Sequence, residues 1–195
     1  MRYLLFTGSL LFILNGAIPA VGQTVSNFSL ENAMSGSVYS LSSARNSEAV
    51  VLIFTSNYCP YAKLYDNRVA GLVNEYSSGE VQFIMINSNN PRRMAQESRG
   101  NMVKKVRGMG VSVPYLMDYD QKIADLFGVR KVPEAFVLKN TRGSFVTVYN
   151  GAIDDNPQVA SDVGKHYLRQ AIDAVLGNRP VKMKETQPTG CLIKR

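Results

Sequence analysis

Ala49-Val50-Val51-Leu52-Ile53-Phe54-Thr55-Ser56-Asn57-Tyr58-Cys59-Pro60-Tyr61-Ala62-Lys63 is the stretch on which the fold turns. Its first six residues are continuously apolar and rich in β-branched side chains, too short for a helix and suited to a strand buried on both faces, as in parallel sheets. Past Cys59-Pro60, apolar positions recur at Leu64/Tyr65, Val69, Leu72/Val73 and Tyr76, which is the period of a helix ending near Gly79. Pro60 suits the first helical position, where its missing N–H is no loss and its φ is already helical. Cys59 is thereby placed at a helix N-terminus, where unpaired N–H groups and the positive end of the helix dipole favour an anion. Thiolate is the reactive form of cysteine, and such placement lowers a thiol pKa from about 8.5 to between about 3.5 and 7.5. Lys63, one turn further along, can add positive potential or point into solvent. Tyr58 and Tyr61 flank the thiol and can form an apolar rim for a substrate or simply pack. The bland alternative for Cys59 is a small buried hydrophobe.

Working outward, residues 23–43 are polar, with apolar positions Val25, Phe28, Leu30, Val38 and Leu41 around Gly36, which suggests a short irregular strand or hairpin. A second strand is expected at 81–86 and a helix across much of 91–108, with an inner stripe including Met102, Val103 and Val106. After a strand at 113–116, Asp120 can cap a short helix that Gly128 stops beyond Phe127. Strands at 135–138 and 145–149 lie close enough to form an antiparallel hairpin. A last helix over 159–176 carries its buried stripe on Leu168, Ala171/Ile172 and Val175/Leu176. Parallel crossovers come first and a hairpin and helix last, so the fold class is an α/β sandwich: a central mixed sheet flanked by helices in three layers. A second signal is Val132-Pro133, directly before an apolar strand. Proline cannot donate to a ladder and belongs at a strand's start or edge. Its place in this order of elements predicts a cis bond, with the Val132 backbone facing outward beside Cys59 to pair with an extended substrate.

Strand-Cys-Pro-helix, Val-Pro before the hairpin and the order of elements together resemble the thioredoxin superfamily, in its redoxin branch of AhpC/TSA-like and thiol/disulfide oxidoreductase-like proteins. The segment Asn57-Tyr58-Cys59-Pro60-Tyr61-Ala62-Lys63-Leu64-Tyr65 is similar to exported bacterial redoxins with an Asn-x-Cys-Pro core, and the ending Pro188-Thr189-Gly190-Cys191 to their tails. The resemblance implies a thioredoxin-like fold, a catalytic Cys59, and substrate contacts at Val132, Pro133, Tyr58 and Pro60. The usual second thiol of Cys-x-x-Cys is absent, its position being Ala62. The peroxiredoxin pattern Pro-x-x-x-Thr-x-x-Cys is met only by Ser56, which leaves Ser56 as the sole hydroxyl to support the thiolate there. The implied partners are protein or small-molecule thiols and disulfides, or peroxide, with an unidentified reductant. No cofactor and no metal is implied.

Cys191 can replace the missing thiol. Thirteen residues separate it from the end of the last helix; at ~3.3 Å per residue they reach roughly 43 Å, against a domain radius of gyration of about 15 Å. Reach leaves three outcomes open: a resolving thiol, a structural staple, or a cysteine unpaired or bonded to another protein. With one histidine, His166, and two cysteines in 195 residues, a Cys/His zinc site is not supported. The net charge of +7 is scattered in pairs and triplets without an aromatic-interleaved stripe, so a nucleic-acid surface is not expected. At the N-terminus, Arg2, an apolar run over 3–14 and the small-x-small Ala20-Val21-Gly22 read as a secretory signal peptide, 1–22, cut before Gln23. The run is too short and broken for a stable membrane span. The organisation expected is therefore a leader, one redoxin domain over 23–177 and a tail over 178–195. Location is exported: periplasmic in a Gram-negative source, secreted otherwise, and oxidising enough for a disulfide to persist.

Overall fold

The computed structural model describes residues 21–194; the predicted leader, apart from its last two residues, lies outside them. The central strand is β4 (Ala49–Phe54), every residue of it buried. It pairs in parallel with β5 (Val81–Asn87), which pairs in parallel with β6 (Tyr115–Met117). On its other side β4 runs antiparallel to β8 (Glu134–Thr141), and β8 forms the hairpin with β9 (Ser144–Gly151). The short strands β1 (Thr24–Val25), β2 (Ser29–Asn32) and β3 (Val38–Ser40) complete an eight-stranded sheet in the order β1-β9-β8-β4-β5-β6-β2-β3. A thioredoxin-like mixed sheet between helices results, as the element order predicts.

Alternation along the buried strands divides the core. Val51 and Ile53 face one apolar cluster with Tyr65, Val69, Met102 and Val106, while Val50, Leu52 and Phe54 face another with Ile123, Phe127 and Cys59. The first face is covered by α1 (Pro60–Glu75), α2 (Arg99–Met109) and α4 (Tyr167–Leu176), the second by α3 (Lys122–Phe127). Helix α1 is further fixed by Arg68, whose guanidinium pairs with Asp154 at 2.7 Å and lies 4.2 Å from the Tyr65 ring centroid.

Three expectations are corrected. Helix α2 begins at Arg99 rather than near residue 91, because the preceding segment folds as turns and a 3-10 turn, Ala95–Glu97, that buries Glu97. Helix α4 begins at Tyr167 rather than near residue 159. The N–H groups of Ile123 and Ala124 at the start of α3 donate to buried Asp118, whereas Asp120 pairs on the surface with Lys122. Gln121, not Asp120, takes the cap position. The residues after α4 are also closely held. Val181 and Ile193 are buried, and β10 (Cys191–Leu192) pairs antiparallel with β7 (Lys131–Val132).

Candidate functional site

The loop from β4 to α1 carries Cys59 to the cap position of α1, with Pro60 at the first helical position, as the sequence predicts. Helix and sheet meet Cys59 from below: it is 2% exposed, and its sulfur lies 3.4 Å from the carbonyl oxygen of Val132. The Val132–Pro133 bond is cis. Cys59 is joined to Cys191 in a disulfide of 2.07 Å, with the Cα atoms 5.9 Å apart. Of the three outcomes left open for the tail, the structure does not show the third, a Cys191 unpaired or bonded to another protein. Cys191 is only partly buried and stands opposite Val132 in the β7–β10 pair.

The remaining candidates distribute unevenly. Tyr58 is half exposed beside the disulfide, and Tyr61 packs against the second apolar cluster. Lys63 is exposed and faces an open cavity of about 570 Å³ that Tyr58, Asp66, Lys104 and Lys105 also line. Lys105 is almost wholly buried there and paired with Asp66. Burial pushes the Lys105 ammonium down and the Asp66 carboxyl up from their ordinary values, and their mutual attraction opposes both shifts. Ser56 is buried, but its hydroxyl is committed to the backbone: it accepts from the N–H groups of Cys59 at 3.0 Å and Tyr58 at 3.1 Å, and donates to the carboxylate of Glu97. It caps the loop and makes no bond to the sulfur.

Glu97 is the functional residue that sequence reasoning missed. Fully buried, it accepts from Ser56, from the N–H groups of Asn57 at 2.8 Å and Tyr58 at 3.2 Å, and from the side-chain amide of Asn87 at 3.0 Å. One carboxylate thus satisfies donors that the sharp turn before Cys59 would leave without partners. Asn57 adds a bond from its side-chain amide to the Gln96 carbonyl and accepts one from the Tyr115 hydroxyl. No local pattern marks Glu97, since most of its partners come from a loop about forty residues earlier; the polar run Asn87-Ser88-Asn89-Asn90 at the end of a buried strand is the available hint of a polar site at this end of the sheet. Glu134, directly after Pro133, was missed as well. Burial raises its carboxyl from an ordinary 4.5 to about 7.

A disulfide at a helix N-terminus, closed against a cis-proline loop on this sheet, defines the architecture, and the model of the AhpC/TSA family matches residues 21–155. The chain belongs to the AhpC/TSA family. It is a thioredoxin-superfamily redoxin and a thiol-dependent oxidoreductase. Among curated relatives it is 26% identical over 144 residues to thiol-disulfide oxidoreductase ResA of Halalkalibacterium halodurans, covering 74% of this chain and 76% of that protein. Among solved structures it is similar to an uncharacterized conserved protein from Geobacillus kaustophilus, with a TM-score of 0.83, 31% identity and 91% and 93% of the two chains covered. A hypothetical protein from Sinorhizobium meliloti 1021 matches with a TM-score of 0.81 and 30% identity over 90% and 94%. The redoxin's described residues contain no helix long and apolar enough to cross a membrane.

Proposed function

We infer that this redoxin is an exported thiol/disulfide oxidoreductase in which Cys59 is the nucleophile and Cys191 the resolving thiol. The observation that carries the reading is the Cys59–Cys191 bond lying across the Val132 backbone. Cys59 thiolate attacks a substrate disulfide, forming a mixed disulfide and expelling one substrate thiolate. Cys191 thiolate then attacks the Cys59 sulfur, expels the second substrate thiolate and closes the Cys59–Cys191 bond. A dithiol reductant restores the chain. Its thiolate meets Cys191 rather than the nearly inaccessible Cys59, so Cys59 leaves as the helix-terminal thiolate and the reductant's second thiol clears Cys191. Val132 and Pro133 hold the substrate chain, with Pro60 and Tyr58 at its rim. Lys63 raises the positive potential around the loop.

Peroxide is the competing substrate: Cys59 would become a sulfenic acid, and Cys191 would condense with it, releasing water. Engagement of the Ser56 hydroxyl with Glu97 and two amides counts against a hydroxyl relay to peroxide and favours the disulfide reaction. The leader-like sequence at the N-terminus and the disulfide itself support export to an oxidising compartment.

The test is turnover of a protein disulfide, and separately of hydrogen peroxide, by wild type, Cys59→Ser and Cys191→Ser in the presence of a dithiol. Loss of disulfide reduction in Cys59→Ser is expected, with an accumulated mixed disulfide on Cys59 in Cys191→Ser. Peroxide consumption faster than disulfide reduction would overturn the assignment in favour of a peroxidase. Absence of both activities would leave a binding module with a structural staple.

A further inference from the structure

Resting on the oxidoreductase reading, we propose that the edge beside Cys59 is a sequence-selective groove for extended polypeptides of the pattern Gly-Cys-x-apolar residue, and that the chain's own tail, Gly190 to Ile193, is its resident competitor.

The tail is bound in the manner of a strand-adding peptide. Its backbone pairs antiparallel along β7, with Cys191 opposite Val132 and Leu192 opposite Lys131. The N–H of Ile193 donates to the Arg130 carbonyl at 3.0 Å, that of Lys194 donates to the Asn89 side-chain oxygen at 3.0 Å, and the Gln121 amide donates to the Lys194 carbonyl at 2.7 Å. These contacts read only main chain and would serve any extended segment. In strand addition, main-chain bonds hold the peptide and the alternate side-chain seats discriminate.

Two seats here are selective. At Gly190, a Cβ would fall 2.1 Å from the Val132 carbonyl oxygen and 3.1 Å from the Pro133 nitrogen, backbone atoms that cannot move aside. The residue before the cysteine must therefore be glycine or force the strand away. Two residues after the cysteine, Ile193 is 6% exposed and joins the apolar cluster of Cys59, Ile123 and Val129. Leu192 between them is 62% exposed, so that position is unread. Period-two alternation along the strand gives one buried, one open and one buried seat from the cysteine onward. With the disulfide closed the groove is full, and only reduction lets another chain displace the tail.

The test uses full-length Cys191→Ser and Gly190→Ala/Cys191→Ser, the second unseating the tail. The probe is the hexapeptide Thr-Gly-Cys-Leu-Ile-Lys carrying its sulfur as a disulfide with thionitrobenzoate. Cys59 thiolate attacks the peptide sulfur, the peptide–thionitrobenzoate bond breaks, a Cys59–peptide bond forms and coloured thionitrobenzoate leaves. In the double variant, replacing the probe's isoleucine by aspartate should slow capture about tenfold, the order expected for losing one buried apolar side chain, and replacing its glycine by valine, which drives a Cβ into the Val132 carbonyl, should also slow it about tenfold. In Cys191→Ser, whose tail still fills the groove, the parent probe should react several-fold more slowly than in the double variant. Gln121→Asn, added to the double variant, withdraws a main-chain bond and should slow all three probes alike by about two- to fivefold. Equal rates for the three probes in the double variant, with Cys59 still reacting with Ellman's reagent, overturn the groove and leave the oxidoreductase reading intact. A Cys59 inert to peptide and to Ellman's reagent overturns both.

Discussion

Two buried carboxylates belong to the segments around Cys59, Glu97 against the loop before it and Glu134 directly after Pro133. Glu97 is surrounded by donors: a hydroxyl, two backbone N–H groups and a side-chain amide. Removing it strands those donors, and each buried group left unpaired costs its desolvation penalty. Glu97→Ala should cost about 2–3 kcal/mol in urea unfolding; it should also slow alkylation of Cys59 in the reduced chain, because the loop that presents the thiol loses its anchor. Rescue of the alkylation rate by Glu97→Gln to near wild type would sink the requirement for an all-acceptor side chain. Glu134, by contrast, is raised by desolvation alone to about 7 from 4.5. Folding thus favours its protonated form. Its contribution is fully present below pH 4.5 and is lost as pH rises toward 7, with a total on the order of 3 kcal/mol. Glu134→Gln should flatten that part of the profile and exceed wild type in stability above pH 7. Parallel urea midpoints for the two chains from pH 4 to pH 8 would refute it.

Among the elements, residues 184–194 are held more closely than their sequence suggests. Strand β4 and helix α1 were legible because their patterns are local: six buried residues in a row, then the period of a helix behind Cys-Pro. The start of α2 was not, because Arg92 to Ser98 is shaped by the need to deliver Glu97 to a distant loop. The tail was not, because much of its hold is main chain. Asn150 donates to the Lys184 carbonyl and accepts from the Thr186 N–H at 3.1 Å, while the Thr186 hydroxyl accepts from the Ala152 N–H at 2.9 Å. Gly151 makes this anchor fit. Its φ is +136°, a region that side chains avoid, and a Cβ there would sit 2.1 Å from the Thr186 carbonyl oxygen. Gly151→Ala should therefore lower stability by about 1–3 kcal/mol through overpacking. It should also slow closure of the Cys59–Cys191 bond after reduction, followed by timed alkylation and mass mapping. Unchanged closure would show that the tail reaches Cys59 without this anchor.

At the scale of the whole molecule, the proposed oxidoreductase reading gives the disulfide two jobs at once, so the tail's alternative roles of staple and resolving thiol need not exclude each other. The bond spans a sequence separation of 132 residues, from the first helix to nearly the last described residue. Closing a loop of that length in the unfolded chain removes entropy equivalent to roughly 5 kcal/mol in the chain-entropy model. By thermodynamic linkage, the folded chain favours the closed bond by the same amount relative to the unfolded chain: the fold raises the effective concentration of Cys191 at Cys59. A staple that strong is useful in catalysis only if a reductant can reach it, and the partial exposure of Cys191 beside exposed Leu192 provides that access while Cys59 stays covered. The reduced redoxin should therefore unfold at a lower urea concentration than the oxidised one, by a free energy approaching 5 kcal/mol. Cys59→Ser/Cys191→Ser should match the reduced chain and be indifferent to dithiothreitol. Coincident midpoints for oxidised and reduced wild type would mean that the bond adds no net stability and, by the same linkage, that the fold does not hold Cys191 at Cys59.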